Sequence, residues 1–378
     1  MATRYLILQD GTTFKGVSFG ASALSYEQLS ALEDLTLSSG ELVFNTSMSS
    51  YTEVLTDNSY AGQMVVMSNV HIGTYGCDPS WFQHLTSKPL CAGFIVKELY
   101  RGIISENRIS FDALLNEFDI CGIEQIDTRL LTIHLRNNGS MYAVFVDEDD
   151  LQQKQIDTIV SKLQNIQNMS ERDFISLTET QQIQHLKSPD GTMKVAYIDY
   201  GSKKAIIDEI LKRGGDVDII PASFFLKMEP EEFSSYDCVF LSNGPGDPRY
   251  LDDHIIKVKS LLGKIAVRGI CLGHQIIALA LDCRVKKMKF GHHGSNHPVK
   301  DTVTGKIIIT SQNHNYSVDP DSLETTASPW FINLNDQSLE GLIDRKWNVM
   351  CTQFHPEAAA GSHDGLWIFD SLLTKENF

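Results

Sequence analysis

Cys271 stands between two apolar runs, Ile265 to Ile270 and Ile276 to Leu281. The first reads as a buried strand, the second as a buried helix without a breaker. The cysteine therefore falls on a strand-to-helix turn, with Gly269 and Gly273 two positions away on either side. This is a nucleophile elbow with sulfur in place of oxygen. The glycines permit a tight backbone, and the first N–H groups of a helix favour negative charge on the sulfur. The plain alternative is a structural cysteine in a packed core.

A thiol nucleophile needs a base, and the base needs a group that holds it. Gln353-Phe-His-Pro-Glu357 follows an apolar strand directly. Pro356 biases His355 towards extended geometry, and in an extended segment residues i and i+2 point the same way. Glu357 can then accept the proton on one ring nitrogen of His355 and leave the other facing sulfur, the logic of a catalytic triad. A satisfied histidine at a strand end is the alternative for His355 taken alone. An oxyanion needs two N–H donors. The backbone of Leu272 is one candidate, and the Gly244-Pro-Gly246 loop is the other, although glycine and proline also favour a plain turn.

The elements that must position these residues lie after Lys194, where strands alternate with helices. Lys194 to Asp199, Val217 to Ile220 and Tyr236 to Leu241 are predicted strands, with helices near 205–213 and 255–262. Ile307 to Thr310, Leu339 to Ile343 and Val349 to Gln353 are later strands. Such alternation predicts an α/β fold with a mainly parallel sheet covered on both faces. Sites in these sheets lie beyond the carboxyl ends of strands, where the 242–248 loop and Cys271 both fall.

The first half mixes elements without regular alternation. Strands are predicted at 5–8, 12–16, 41–45, 63–68, 92–96 and 141–146, a short helix after the polar loop 46–53, and helices at 111–118 and 128–136. Residues 21 to 40 hold no clear element. The expected organisation is a mixed α/β N-terminal domain over 1–150, a polar connector over 151–192 with one weak helix at about 151–167, and the α/β domain over 193–378.

The chain has 378 residues, of which 42% are hydrophobic and 21% charged, ordinary for a soluble globular protein. A net charge of −16 argues against nucleic acid or an anionic membrane as partner. The seven cysteines show no CxxC pair, which suggests neither a disulfide framework nor a zinc site. A reducing cytoplasm fits best. The apolar run near the N-terminus is too short for a signal peptide, and no stretch is long enough to span a bilayer. His292, His293 and His297 could suggest a metal, but no acidic or cysteine ligand accompanies them in the sequence, so no metal is expected. There is no GxxxxGK[ST] and no GxGxxG after a strand, hence no nucleotide motif.

Gly-Ile-Cys271-Leu-Gly-His-Gln275, Ser-Asn-Gly244-Pro-Gly246-Asp-Pro and Phe-His355-Pro-Glu357 together resemble the class I (triad) glutamine amidotransferases, over about residues 193 to 378. Asp10-Gly-Thr, Glu41-Leu-Val-Phe-Asn-Thr-Ser-Met48, Tyr51-Thr-Glu-Val-Leu-Thr-Asp57, His71-Ile-Gly73 and Ile126-Asp-Thr-Arg129 resemble the N-terminal domain of the carbamoyl-phosphate synthetase small chain. Lys289-Phe-Gly-His-His-Gly294 and Asn296-His-Pro298 do the same in the second half.

The resemblance implies catalytic roles for Cys271, His355 and Glu357. It implies that glutamine is held by Ser47, Gly244, Gly246, Leu272, Gln275, Asn313, Asn315 and Tyr316, and that the three histidines are structural. Ammonia would pass to a large synthetase subunit, which would carry ATP and a divalent metal and make carbamoyl phosphate for arginine and pyrimidine synthesis. No cofactor is expected on this chain. For Ser47 the plain alternative is a helix cap. Alternative functions are an amidotransferase subunit for another synthetase, or an inactive regulatory scaffold. The sequence departs from the family pattern at Ser50 and Asn315, each in place of a usual glycine, at Ala359-Ala360, and by an insertion at about 24–38. Asparagine tolerates a left-handed backbone, so the change at Asn315 is expected to be mild.

Overall fold

The computed structural model describes residues 2–86, 88–166, 171–323 and 326–374. The chain divides into two units, Met1–Phe82 with Lys88–Arg172, and Gln83–Ser87 with Asp173–Phe378.

The first unit is a closed barrel. Its strands are β1 (Thr3–Leu8), β2 (Thr13–Gly20), β3 (Ser39–Asn45), β4 (Gln63–Met67), β5 (Gly93–Ile95), β6 (Cys121–Glu124) and β7 (Met141–Asp147), in the order β1-β2-β6-β5-β4-β3-β7. Leu6, Leu8, Leu42, Val66, Ile95 and Phe145 are among the side chains of one cluster within this unit. Helices α1 (Tyr26–Ala31), α2 (Tyr51–Thr56), α3 (Phe111–Glu117), α4 (Thr128–Asn138) and α5 (Gln153–Gln164) accompany the strands. Helix α5 turns Ile159 and Leu163 onto Tyr5, Ile7, Val144 and Val146, so this part of the polar stretch 151–192 packs on the barrel strands. Position 167, the last of the predicted helix, lies outside the described residues.

Residues 21–40, expected to hold no element, contain α1. Its signal is weak because only Leu29 is buried. A reciprocal cap supports it instead: Gln28 N donates to Ser25 Oγ at 3.3 Å, and Ser25 N donates to Gln28 Oε1 at 2.8 Å. Strand β6 was not expected either, being four residues long with one glycine.

The second unit is a ten-stranded sheet flanked by α6 (Ile175–Thr178), α7 (Lys204–Lys212), α8 (Ala222–Phe225), α9 (Asp252–Leu261), α10 (Leu272–Ala280) and α11 (Ile368–Leu372). Its strands are β8 (Gln184–Leu186), β9 (Met193–Asp199), β10 (Gly215–Pro221), β11 (Cys238–Leu241), β12 (Ala266–Ile270), β13 (Val285–Asp301), β14 (Ile307–Val318), β15 (Ala327–Asn333), β16 (Leu339–Asp344) and β17 (Val349–Thr352). The central strands β10, β9, β11, β12 and β17 run parallel. β8 is antiparallel at one edge, and β16, β15, β13 and β14 continue antiparallel on the other side. The predicted parallel core is present; the long antiparallel flank was not predicted. β13 carries no clear strand signal because glycine, histidine, asparagine and proline crowd its middle, and its pairing with β14 shifts register twice, between Lys287 and His292 and between Gly294 and His297.

β11 and β12 are adjacent and parallel, so Ser242 and Cys271 emerge side by side at the same end of the sheet. Every residue of β12 is buried, including Arg268. Its guanidinium donates to Leu372 O, Val267 O, Asn348 O and Asn348 Oδ1. No helix among the described residues is long and apolar enough to cross a membrane.

The first turn of α10 lies against β11 so closely that a Cβ on Gly273 would sit 2.3 Å from Leu241 O. Gly273→Ala should therefore cost at least about 1–3 kcal/mol by overpacking, read as a lower urea midpoint with an unchanged m value.

Candidate active site

Cys271 caps α10 with φ 55° and ψ −104°. A non-glycine residue at positive φ is strained and marks functional turns. Three contacts hold it there. Cys271 N donates to Thr352 O at 2.8 Å, Gly273 N donates to Ser242 O at 3.0 Å, and Gln275 N donates to Cys271 O at 3.2 Å. A Cβ on Gly269 would meet Gly273 C at 2.8 Å, so both flanking glycines serve close approach.

β17 pairs with β12 and delivers His355 three residues past its end. His355 N donates to Ser311 O at 2.9 Å, which ties the segment to β14. The imidazole Nδ1 lies 2.7 Å from Glu357 Oε1, the i+2 contact expected from the sequence. His355 Nε2 is buried with no hydrogen-bond partner. Cys271 is its neighbour and raises its proton affinity. The thiol itself points to Asn313 O at 3.5 Å.

Lys203 completes the group and was not found from sequence. Its Nζ lies 2.8 Å from Glu357 Oε1 and donates to Ala358 O at 2.7 Å, with the side chain 3% exposed. The available signal was its place after the Gly201 turn at the carboxyl end of β9. Lys203 N also donates to Asn243 Oδ1 at 2.9 Å, which joins the Lys203 turn to the glycine loop.

The charges decide which proton stays. Burial drives the His355 imidazole down, but the Glu357 carboxylate outweighs burial and the opposing Lys203, and His355 is raised to about 10. Burial also pushes the Glu357 carboxyl up, yet Lys203 and His355 overcome it and hold it at about 2. The site is thus a buried chain of alternating charge, ammonium, carboxylate and imidazolium, ending at sulfur.

The other expected residues of the second unit share this sheet end. Gly246 has φ 98°, which favours glycine, and a Cβ on Gly244 would strike Tyr200 O at 2.4 Å. That same Cβ would lie 3.0 Å from Leu272 Cδ2, so loop and elbow are in contact. Leu272 opens α10, where the first N–H groups have no partner within the helix. Gln275 Nε2 donates to Tyr316 O at 2.9 Å and to Gln353 Oε1 at 3.0 Å. His293 bridges Asn313 and Asn315, with Nδ1 and Nε2 each 3.0 Å from an amide oxygen. Arg249 lies over the Tyr316 ring at 5.4 Å.

Ser47 belongs to the first unit. It is 3% exposed, and its N donates to Asn45 Oδ1 at 2.7 Å. It does not cap α2: the N-cap is Ser50, at φ 67° and ψ 34°, and Ser50 N donates to Tyr75 Oη. The left-handed backbone at Ser50 explains why glycine suits that position. Asn315, by contrast, is a β14 residue without positive φ, so backbone tolerance is not what it supplies.

The expectation that no acidic residue accompanies the histidines is corrected. His292 Nε2 lies 2.9 Å from Asp336 Oδ2, and its Nδ1 lies 3.4 Å from Glu340 Oε1. Both acids are more than forty residues away along the chain, so only the β-sheet register joins them to His292.

Residues 6–145 match the family model described as carbamoyl-phosphate synthase small chain, CPSase domain, and residues 196–375 match glutamine amidotransferase class-I. The carbamoyl phosphate synthase small chain of Fusobacterium nucleatum is 38% identical over 385 residues, covering 99% of this chain and 98% of the relative. That of Archaeoglobus fulgidus is 39% identical over 373 residues, covering 97% of each. That of Oceanobacillus iheyensis is 39% identical over 380 residues, covering 99% and 96%.

Breaking a buried ion pair strands a charge. Lys203→Met and Glu357→Gln should each cost about 3–5 kcal/mol in urea unfolding. The double variant should lose clearly less than the sum of the two. Additive losses would show that the two groups act independently.

Proposed function

The chain belongs to the carbamoyl-phosphate synthase small-chain family, and from that premise we propose that it is the glutamine-hydrolysing subunit of a glutamine-dependent carbamoyl-phosphate synthase. The observation that carries this reading is Cys271 on a strained elbow beside an imidazole whose other nitrogen is held by a buried carboxylate.

In this mechanism the imidazolium of His355 already holds at Nε2 the proton given up by Cys271, and the thiolate sulfur attacks the side-chain amide carbon of glutamine. The carbonyl oxygen takes up negative charge and accepts N–H bonds from Leu272 and the Gly244–Gly246 loop, where such donors are worth most. His355 protonates the departing nitrogen, the C–N bond breaks, and ammonia leaves a glutamyl thioester on Cys271. Water, deprotonated by His355, then attacks the thioester; glutamate leaves and the thiol is restored. Glu357 holds the imidazole through Nδ1, and Lys203 keeps Glu357 ionised.

Gln275, Asn313, Asn315 and Tyr316 form one face of the glutamine site in this reading, and the family resemblance adds a hydrogen bond from Ser47 to the substrate. The ammonia is consumed by a large partner subunit, which carries ATP and the divalent metal and combines ammonia with bicarbonate. The work takes place in the cytoplasm and serves arginine and pyrimidine synthesis. The match of residues 6–145 supports this partner over another synthetase, and the complete Cys-His-Glu set supports an active enzyme over an inert scaffold.

Cys271→Ala should abolish glutamine hydrolysis by the purified chain. In the assembled enzyme it should leave carbamoyl phosphate synthesis from added ammonium intact. Normal glutaminase activity in that variant would overturn the assignment.

Ser47→Ala should leave the melting temperature nearly unchanged and lower kcat/KM for glutamine by about 2- to 13-fold, the worth of one hydrogen bond between uncharged partners. Unaltered kcat/KM with a lower melting temperature would reduce Ser47 to a structural role.

A further inference from the structure

Behind the strand that carries Asn313 to Tyr316 lies a second buried polar cluster, which the proposed reaction does not use. His292 on β13, Gln312 and His314 on β14, and Glu340 on β16 are each 5% exposed or less. One nitrogen of His292, one of His314 and a carboxylate oxygen of Glu340 lie within 4.8 Å of one another.

The protons do not balance in this cluster. His314 Nδ1 lies 2.8 Å from Tyr316 O and its Nε2 lies 3.0 Å from Gln312 Oε1. A neutral imidazole has one N–H, so one of these oxygens faces a bare lone pair. Gln312 cannot turn its amide to help, because its Nε2 already donates to Glu340 Oε2 at 3.0 Å and Thr310 Oγ1 at 3.1 Å. Reversal would set its oxygen against the carboxylate.

At His292, Nε2 is satisfied by Asp336, while Nδ1 has no hydrogen-bond partner although Glu340 Oε1 is 3.4 Å away. That separation is poor for a hydrogen bond. It matches two ligands of one tetrahedral ion, which at metal–ligand lengths of about 2.05 Å stand ~3.3 Å apart.

We propose that His292 Nδ1, His314 Nε2 and Glu340 Oε1 form a buried site for a divalent ion of the zinc type, with Gln312 Oε1, 3.0 Å from His314 Nε2, as a fourth candidate ligand. The outer partners fit the assignment. Metal-bound imidazoles give their other N–H to a carboxylate or a backbone carbonyl; Asp336 does this for His292 and Tyr316 O for His314. Asn333 Nδ2 donates to Glu340 Oε1 at 2.9 Å and orients the carboxylate. Histidine and carboxylate ligands suit zinc and cobalt over calcium or magnesium, which prefer all-oxygen shells. An ion here would pin β13, β14 and β16 together directly behind Asn313 and Asn315. The inference does not depend on the glutaminase reading.

The test uses the full chain carrying Cys271→Ala, so that the thiol cannot bind metal. The protein is stripped with chelator, titrated with Co²⁺ alone, and followed by visible absorption and by metal content after gel filtration. About one retained equivalent with tetrahedral ligand-field bands is expected. Asp336→Asn, at an exposed position, should weaken binding by roughly 10- to 100-fold, and Glu340→Gln should abolish the bands. Zn²⁺ should raise the melting temperature of the parent over its chelated form, a reading that needs no further variant. Absence of retained metal with no melting shift overturns the proposal and leaves a shared proton as the neutralising charge. Bands that survive both substitutions overturn it as well.

Discussion

A carboxylate without access to water is the constraint on which the site depends. Glu357 is fully buried, and an isolated ion there would be prohibitive. It persists as an anion because Lys203 and His355 flank it. This arrangement joins three chain segments: the turn after β9, the segment after β17, and the elbow that His355 faces. The charge chain therefore organises the sheet end as well as the imidazole. Removing Glu357 would leave two buried cations without the anion they share.

The backbone answers a matching steric demand. For sulfur to face His355, Cys271 must stand at positive φ, and α10 must begin almost in contact with β11. Gly269 and Gly273 make that approach possible, and the strain at Cys271 is offset by the bonds that Cys271 N donates to Thr352 O, Gly273 N to Ser242 O and Gln275 N to Cys271 O. Electrostatics fixes the imidazole, and close packing fixes the sulfur. The two meet because β12 and β17 are parallel neighbours with Cys271 bonded to Thr352.

A second polar layer backs the first. His293, Gln275 and His314 engage Asn313, Asn315 and Tyr316 from within the second unit. The face offered to substrate is thus set by groups that themselves need partners. Buried polar networks of this kind rigidify only when every member is satisfied. For that reason the unmatched ring nitrogens of His292 and His314 bear on the same strand.

The elbow, the His355–Glu357 pair and the parallel core were legible in the sequence because each depends on residues close together in the chain. Glycine spacing, the i+2 geometry before a proline and apolar periodicity are local signals. Lys203 was not legible, since its role comes from a pairing 154 residues away. Helix α1 was hidden because a cap, not an apolar stripe, sustains it, and β13 because its register breaks twice. Barrel closure requires β1 to pair with β7 across most of the first unit, which no local pattern specifies. The joining of His292 to Glu340 likewise depends on which strands become neighbours. By itself the sequence determined the reactive groups and their local geometry. Tertiary structure decided which distant charges and lone pairs would share a dry interior, because only strand order and register bring them within a few ångströms.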